Sequence, residues 1–370
     1  MLSLYIHIPF CRKKCLYCNF CSVTYDKPLA WDYIGVLIKQ IEDLKGRFSS
    51  IYIGGGTPTV LENRFLEKLL KSLKKSLNPE TEFTIEANPE SLSGEILGLF
   101  LNFGVNRLSI GTQSFNDAKL KKLGRVHNAR AGLDAVYTAK KKGFKNISID
   151  LIFGAWNEDM ESWEEDLKKA VHLPVEHISA YALTYEEGTP LFGAQEKGEI
   201  RPQDNEEVGR MYEWTMGYLE KNGFRQYEVS NFAREGYPCL HNLNYWQNNS
   251  YIGLGASAVS YIEGTRKENI SDIKEYISRV KKTKDYIIFQ EKLSVKEKAQ
   301  ETAALKIRTK SGIDFEWFKG KTGFDFLELE AAALVKLTEA GFIGYNADKS
   351  AISLTQKGFL FSDIVSSEFL

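Results

Sequence analysis

Four of the five cysteines in this 370-residue chain fall between residues 11 and 21. Cys11, Cys15 and Cys18 form the pattern C-x3-C-x2-C, and Cys21 follows them. Thiolates gathered in this way bind a soft metal ion or an iron–sulfur cluster. Three protein ligands would leave one iron of a four-iron cluster open to a small molecule, whereas all four cysteines could close a zinc site. Crowding in one loop favours the cluster, because structural zinc sites draw ligand pairs from separated turns.

Other polar residues and glycines stand where predicted strands end. A glycine-rich run at 54–58 follows the second predicted strand, Glu86 ends the third, Gln113 follows the fourth, and Asp150 lies on the fifth. Active sites of (β/α) barrels are built at the C-terminal ends of the strands. The sequence therefore predicts that these groups meet the cysteine loop in one site.

The elements that must position this site alternate between strand and helix. Apolar, β-rich stretches predict strands at 2–9, 50–53, 82–87, 107–110, 146–153 and 177–183. Helical spacing of apolar residues separates them, and this order predicts a parallel sheet with helices outside. We therefore expect an α/β fold, a partial (β/α)6-type barrel. The strands are nearly all apolar in this interpretation, so we expect both of their faces to be buried.

The rhythm of the chain changes after residue 200. A long helix is predicted at 204–222 and further strands at 226–232 and 251–262. From about residue 291 the pattern becomes helical again, with one strand pair at 342–354. We therefore expect two domains, a barrel with its extension at 1–290 and a small helical domain at 291–370.

His241 stands in the segment HNLNYW at 241–246, which is rich in aromatic and amide side chains. Such a segment suits a planar ligand, and neutral imidazole is a common axial ligand of haem. The alternative is a buried histidine and tryptophan that close the edge of the barrel. Cys239 is a second possible haem ligand, although buried thiols are common without such a role.

Composition restricts the partners. The net charge is −1 and 26% of the residues are charged, which gives no reason to expect nucleic acid or an anionic membrane as the main partner. No apolar stretch approaches the ~20 residues that span a bilayer, and the N-terminus lacks a signal sequence. We expect a cytoplasmic protein with at most peripheral membrane contact.

The cysteine pattern after a first strand resembles the signature of radical S-adenosylmethionine (SAM) enzymes. LYIHIPFC before the cysteines and YCNF around the third one resemble the oxygen-independent coproporphyrinogen III oxidase family, which includes the HemW-type haem chaperones. The resemblance runs from Leu4 to the C-terminus. Porphyrinogen oxidases of the family carry C-x-C where Phe20 stands here, which favours the chaperone branch. Cys21 comes one residue late, and Ser257 replaces a histidine expected in many relatives of that branch.

The resemblance implies cofactors and site residues. Cys11, Cys15 and Cys18 would hold a [4Fe-4S] cluster, and its open iron would chelate SAM for reductive cleavage to a 5′-deoxyadenosyl radical. The residues that match SAM-binding positions are Tyr5, Tyr17, Gly55, Gly56, Thr57, Glu86, Gln113, Arg125, Asp150, Ala182 and Val259. Those assigned to haem are His241, Asn242, Tyr245 and Trp246. The tail from 291 resembles the winged-helix-like appendage of the family.

Two functions follow from the resemblance. The first is a haem chaperone that binds haem and transfers it to recipient haemoproteins, with an electron donor as a further partner. The second is a coproporphyrinogen dehydrogenase-type oxidoreductase that decarboxylates porphyrinogen with SAM. HNLNYW, Phe20 and a barrel that starts almost at residue 1 favour the chaperone. Whether the protein is also an enzyme is left open.

Overall fold

The computed structural model describes residues 2–283 and 285–370, and a twelve-stranded mixed β-sheet dominates them. The strands of this sheet and of two smaller ones are, in chain order, β1 (Ser3–Ile8), β2 (Phe10–Cys11), β3 (Val23–Thr24), β4 (Ser50–Gly55), β5 (Glu82–Ala87), β6 (Arg107–Gln113), β7 (Ile147–Phe153), β8 (His177–Ala182), β9 (Arg225–Glu228), β10 (Asn231–Ala233), β11 (Tyr251–Leu254), β12 (Val259–Ile262), β13 (Thr265–Asn269), β14 (Ile287–Lys292), β15 (Ile313–Asp314), β16 (Ile343–Tyr345) and β17 (Ala351–Leu354).

Helices connect the strands and form the C-terminal region. They are α1 (Lys27–Asp43), α2 (Asn63–Leu73), α3 (Gly94–Asn102), α4 (Asp117–Lys122), α5 (Ala129–Lys142), α6 (Met160–Val171), α7 (Pro190–Glu196), α8 (Asn205–Lys221), α9 (Leu240–Trp246), α10 (Ile273–Lys282), α11 (Val295–Lys306), α12 (Phe315–Thr322), α13 (Phe326–Leu329), α14 (Ala331–Glu339), α15 (Gln356–Leu360) and α16 (Ser362–Ser367). Short 3-10 helices lie at Pro58–Val60, Lys74–Ser76 and Pro89–Ser91. No helix in the described ranges, 2–283 and 285–370, has the length and apolar character needed to cross a membrane.

The parallel part of the main sheet confirms the predicted fold class. β1 pairs with β4, and β5, β6, β7 and β8 continue in parallel order. β11 pairs in parallel with the other side of β1, which adds one parallel strand to the predicted repeats. Antiparallel strands extend both ends, β12 to β14 beyond β11, and β10 and β9 beyond β8.

The two faces of the parallel strands differ in polarity. Leu4, Ile6 and Ile8 of β1 are fully buried in the hydrophobic core. Burial of such a side chain contributes about 2 kcal/mol to stability. The polar inner face instead carries the intervening Ser3, Tyr5 and His7. On this face, side chains of neighbouring strands form hydrogen bonds with one another. The expected burial of both faces is therefore confirmed, whereas the expectation that the strands are nearly all apolar is wrong.

That inner face is a continuous polar surface. Ser50 on β4 donates to Ser3 on β1 at 2.7 Å, and Ser109 on β6 donates to Asp150 on β7 at 3.3 Å. Ser148 on the same strand lies 2.8 Å from the His177 ring on β8. Buried polar groups are tolerated where hydrogen bonds replace those made with water. The alternation of polar and apolar residues, in strands such as SLYIHI and EFTIEA, was the sequence signal for this face.

Two predicted strands are hairpins. The stretch 226–232 divides into β9 and β10, because the Glu228 carboxylate accepts hydrogen bonds from the Ser230 backbone and the Asn231 amide and holds a tight turn. The stretch 251–262 divides into β11 and β12, because Gly255 and Ser257 have positive φ values of 108° and 59°. Such values end an extended strand. HNLNYW forms most of helix α9.

The small C-terminal helical domain is also confirmed. It contains α11 to α16 and an antiparallel sheet of β15, β17 and β16. α11 starts with a capping box, in which Ser294 and Glu297 satisfy each other's backbone N–H groups. The Lys310 N–H donates to the Tyr227 carbonyl at 2.9 Å, which ties this region to the barrel.

Candidate functional site

The cysteine loop leaves β2 and forms one wall of a large cavity. We call it the cysteine cavity, of about 1160 Å³, because Cys11, Cys15 and Cys18 line it. All three side chains are half-buried. Burial raises the pKa of the Cys18 thiol, and the neighbouring Cys15 and Cys11 raise it further. The structure therefore brings these three sulfurs to one surface, as the sequence predicts.

Cys21 turns away from the other three. Its thiol donates to the Ser271 carbonyl at 3.4 Å, and it lines a second cavity. Within residues 2–283 and 285–370, no three His, Cys, Asp or Glu side chains stand where one metal ion could join them. The separation of Cys21 fits a three-cysteine ligand set, because a four-sulfur zinc site requires all four sulfurs to converge.

Two polar groups contact the cysteine sulfurs. The Thr57 hydroxyl donates to Cys11 Sγ at 3.7 Å, and the Arg125 guanidinium donates to Cys15 Sγ at 3.3 Å. Arg125 is held in place by the Asn88 side chain at 2.7 Å and the Gly111 carbonyl at 2.8 Å. A cation beside a sulfur stabilises its thiolate form. These contacts place a hydroxyl and a guanidinium donor against two of the three sulfurs.

The glycine run follows β4 and lies tightly against β1. Gly55 has φ of 105°, and a Cβ there would stand 2.3 Å from the His7 ring. A Cβ on Gly56 would stand 2.7 Å from the Phe10 carbonyl oxygen. Packing within the protein alone therefore requires glycine at both positions. The same absence of side chains leaves the turn open to the cysteine cavity, which Gly55, Gly56 and Thr57 line.

Glu86 lies at the boundary of both cavities. Its carboxylate accepts hydrogen bonds from the Tyr52 hydroxyl at 2.7 Å and from the Gly55 N–H at 3.0 Å. Burial raises the pKa of the Glu86 carboxyl to about 7, the nearby Asp150 adds to this, and the Tyr52 hydrogen bond opposes it. Glu86 is therefore an acceptor whose charge changes near neutral pH.

The remaining residues predicted for the cysteine cavity also line it: Tyr17, Gln113, Asp150 and Ala182. Gln113 ends β6 with φ of 66°, a left-handed conformation that is uncommon for a residue with a side chain. Burial raises the pKa of Asp150, whose carboxylate accepts hydrogen bonds from Ser179 and Ser109. Tyr5 and Val259 do not belong to this wall. They line the second cavity.

The second cavity is called the histidine cavity here, because His241 lines it together with Tyr5, Tyr52, Tyr245 and Tyr251. Its volume is about 530 Å³, within the usual range of small-molecule sites. Asn242, Cys21 and Val259 also line it. Glu86 and Phe20 border both cavities, so the two spaces are neighbours.

His241 is almost fully buried, with 1% of its surface exposed. Its Nδ1 lies 2.8 Å from Ser50 Oγ and its Nε2 lies 3.0 Å from the Tyr245 hydroxyl. The Tyr52 ring stacks on it, with ring centres 5.0 Å apart. Of the residues predicted for haem, Trp246 lines neither cavity. Its ring lies 5.3 Å from the Arg308 guanidinium.

The sequence interpretation missed four residues that line these cavities, which are His7, Tyr52, Asn88 and Ser109. It also missed two buried charged residues that interact with His241, which are Glu82 and Arg107. His7 shows their role. Its Nε2 donates to the Cys21 carbonyl at 2.7 Å, and its Nδ1 accepts from the Tyr5 hydroxyl at 3.0 Å. Burial lowers the pKa of His7, which keeps the ring neutral. Alternation along the strands places most of these residues on the inner face.

Comparison with known proteins identifies the family. The Radical SAM superfamily matches residues 5–170, and the HemN C-terminal domain family matches 293–361. A protein named Heme chaperone HemW from Lactococcus lactis subsp. lactis (strain IL1403) is 38% identical over 371 residues, covering 100% of this chain and 97% of the relative. Another of that name from Bacillus subtilis (strain 168) is 36% identical, covering 100% and 99%.

The fold matches a solved structure over the same length. The radical SAM enzyme coproporphyrinogen III oxidase (HemN) from Escherichia coli aligns with a TM-score of 0.86 and 23% identity, covering 100% of this chain and 89% of that one. At this identity the likeness shows the fold alone. Full-length identity of 36% and 38% to relatives named HemW, with both family domains present, shows that the chain belongs to the HemW family of radical SAM proteins.

Proposed function

We propose that this protein is a haem chaperone, which binds haem in the histidine cavity and transfers it to recipient haemoproteins. The relatives named Heme chaperone HemW support this function over the whole chain. The structural observation that carries it is that His241, Asn242 and Tyr245 line one aromatic cavity. Tetrapyrroles are flat and apolar, and aromatic walls favour such ligands through burial and ring contacts. Imidazole supplies an axial ligand for the iron.

We further propose that Cys11, Cys15 and Cys18 hold a [4Fe-4S] cluster, and that SAM binds beside it in the cysteine cavity. The fit rests on three half-buried thiols that face one space and on the Arg125 contact with Cys15. When bound, the cluster and SAM supply one-electron chemistry, and an electron donor is the further partner. The chain itself orients the ligands: Arg125 donates to Cys15 Sγ, and Glu86 presents an acceptor.

The SAM-binding residues fall into two groups in this proposal. Those on the cysteine cavity are the direct contacts: Tyr17, Gly55, Gly56, Thr57, Glu86, Gln113, Arg125, Asp150 and Ala182. Tyr5 and Val259 border the histidine cavity, together with Glu86 and Gly55. Trp246 is the last residue of α9, and its ring packs near the Arg308 guanidinium. A cytoplasmic location and the absence of a nucleic-acid partner stay predictions.

The test is a haem titration of the anaerobically reconstituted protein, followed by optical absorbance. We expect saturable, stoichiometric binding with a shifted Soret band, followed by transfer to an apo-haemoprotein. His241→Ala is expected to weaken binding about tenfold or more, because one iron ligand is lost. His172→Ala is the matched control, since His172 is exposed at the end of α6 and its Nδ1 donates to the Lys168 carbonyl.

If the reconstituted protein binds no haem but decarboxylates coproporphyrinogen III with SAM, the chaperone function is wrong and the porphyrinogen oxidase alternative replaces it. If wild-type and His241→Ala proteins bind haem equally, the function stands and the ligand lies elsewhere.

A further inference from the structure

Both ring nitrogens of His241 are occupied in the structure. Nδ1 contacts Ser50 Oγ at 2.8 Å and Nε2 contacts the Tyr245 hydroxyl at 3.0 Å. Tyr245 lies one helical turn after His241 on α9, and its ring meets the His241 ring edge-on with centres 4.9 Å apart. An iron atom therefore cannot reach Nε2 until the Tyr245 hydroxyl moves.

The hydrogen-bond directions fix which nitrogen carries the proton. The Ser50 hydroxyl donates its single proton to Ser3 Oγ at 2.7 Å, so toward His241 it accepts. Nδ1 is therefore the protonated nitrogen. A neutral imidazole carries one ring proton, so its other nitrogen is an acceptor. Nε2 then offers a lone pair, and the Tyr245 hydroxyl donates to it.

The backbone of His241 is fixed as well. The Glu82 carboxylate accepts the Leu240 N–H and the His241 N–H, each at 3.0 Å. Tyr52 stacks on the ring from β4. With backbone, ring plane and Nδ1 all restrained, the Tyr245 contact is the one that faces the histidine cavity and can be exchanged without moving the strand or the helix.

We propose that Ser50 is a positioning residue that presents Nε2 of His241, and that Tyr245 masks this nitrogen until the iron of a metalloporphyrin displaces its hydroxyl. This inference rests on the proposed haem-binding function and adds the atom used, the tautomer and the step that precedes ligation. Histidine ligands of metals are commonly oriented in this way through a hydrogen bond at the second nitrogen. The displaced hydroxyl exchanges one hydrogen bond for contact with solvent or a propionate group.

The test compares Tyr245→Phe with wild type, using haem and metal-free protoporphyrin IX as separate ligands. The variant keeps the ring and removes only the hydroxyl that covers Nε2. We expect haem to bind about fivefold more tightly, the equivalent of one hydrogen bond, with unchanged affinity for protoporphyrin, which has no iron. Tyr137→Phe is the matched control, because Tyr137 is exposed on α5.

Ser50→Ala tests the positioning half. Without its hydroxyl the ring can protonate at either nitrogen, so we expect haem affinity to fall about fivefold and the Soret band of the bound haem to shift from its wild-type position. Protoporphyrin affinity is again expected to stay constant. The Soret position of the bound haem is the readout that a purely structural role would not change.

Three results would overturn the inference while leaving the chaperone function intact: Tyr245→Phe has no effect on haem binding, or weakens it, or changes haem and protoporphyrin affinity in parallel. In each of these cases Tyr245 packs against the ligand and does not mask Nε2. If the wild-type protein binds neither ligand, the proposed function itself fails, and the titration separates that result from the others.

Discussion

Glu86 is one of the residues at which the two cavities meet. One carboxylate oxygen accepts from Tyr52, whose ring stacks on His241, and the other accepts from Gly55 in the turn beside the cysteines. Because burial raises the pKa of this carboxyl to about 7, its charge is sensitive to small changes in pH around neutrality. The proposed SAM site therefore contains an acceptor that weakens on acidification.

This placement predicts a pH dependence for SAM binding. Above pH 7 Glu86 is ionised and accepts strongly, whereas below its raised pKa it is protonated and loses an acceptor site. We expect SAM affinity of the reconstituted protein to fall about tenfold from pH 8 to pH 6. Glu86→Gln is expected to bind SAM more weakly at pH 8, with a flat profile over the same range, measured by equilibrium dialysis.

Iron content provides the control for that experiment. Glu86 does not contact a cysteine sulfur in the described structure, so Glu86→Gln should retain the iron of the wild type. A Glu86→Gln profile that falls as steeply as the wild-type profile would assign the pH dependence to another group. Loss of iron would make Glu86 a structural support of the cysteine loop.

At the scale of elements, β5 holds helix α9 in place. Glu82 on β5 accepts the Leu240 and His241 N–H groups and the Cys239 thiol, and the charge of the buried Arg107 on β6 balances it. A carboxylate at a helix N-terminus satisfies donors that the helix itself leaves free. The segment that carries His241 is therefore positioned by Glu82 on β5.

Glu82→Gln should accordingly destabilise the protein. The amide accepts only at one oxygen and carries no charge, so a backbone N–H loses its partner and Arg107 loses its counter-charge. We expect the free energy of unfolding, measured with urea, to fall by about 2–3 kcal/mol. Glu80→Gln is the matched control, since Glu80 is exposed just before the same strand. Equal stability of the two variants would show that α9 holds its own N-terminus.

The parts of this architecture that depend on local pattern could be predicted from the sequence. The βα order, the cysteine loop after β1, the strand-end position of Glu86 and the place of Asp150 on its strand all follow from periodicity and spacing. The walls of the histidine cavity could not be predicted, because they join residues far apart in the chain. Ser50 and His241 are 191 positions apart, and no local pattern indicates which strand α9 meets.

The polar inner face was visible but was read incorrectly. Strands such as EFTIEA alternate polar and apolar residues, and this period of two indicates one face in the core and one polar face. Each strand is also rich in apolar residues, and this hydrophobic content suggested that both faces are apolar. The turn after β9 was missed for a different reason, because it depends on the Glu228 carboxylate bonding its own neighbours.

At the scale of the whole molecule, the C-terminal region completes the cysteine cavity. Arg308 and the residues Phe359 to Asp363 line this cavity together with the cysteine loop and α8. Arg308 forms an ion pair with Asp363 and lies over the Trp246 ring behind α9. The C-terminal region therefore lines the cysteine cavity directly, and it contacts helix α9, which lines the histidine cavity. The predicted division near residue 290 stays a prediction.

Asn248 makes a contact between the end of α9 and helix α11 of the C-terminal region, and this contact can be tested. It lies just after α9, is 5% exposed, and its amide donates to Glu301 at 3.1 Å and to the Thr302 hydroxyl at 3.0 Å on α11. Asn248→Asp keeps the shape and the positive φ of 49° but replaces both donors with a carboxylate that faces Glu301. We expect a loss of about 2–3 kcal/mol in urea unfolding at pH 8. The loss should shrink at pH 5, where the new carboxyl takes up a proton and can donate.

Asn102→Asp, at the exposed end of α3, should have little effect at either pH. A loss for Asn248→Asp that stays the same at pH 5 would mean that repulsion from Glu301 is not its cause.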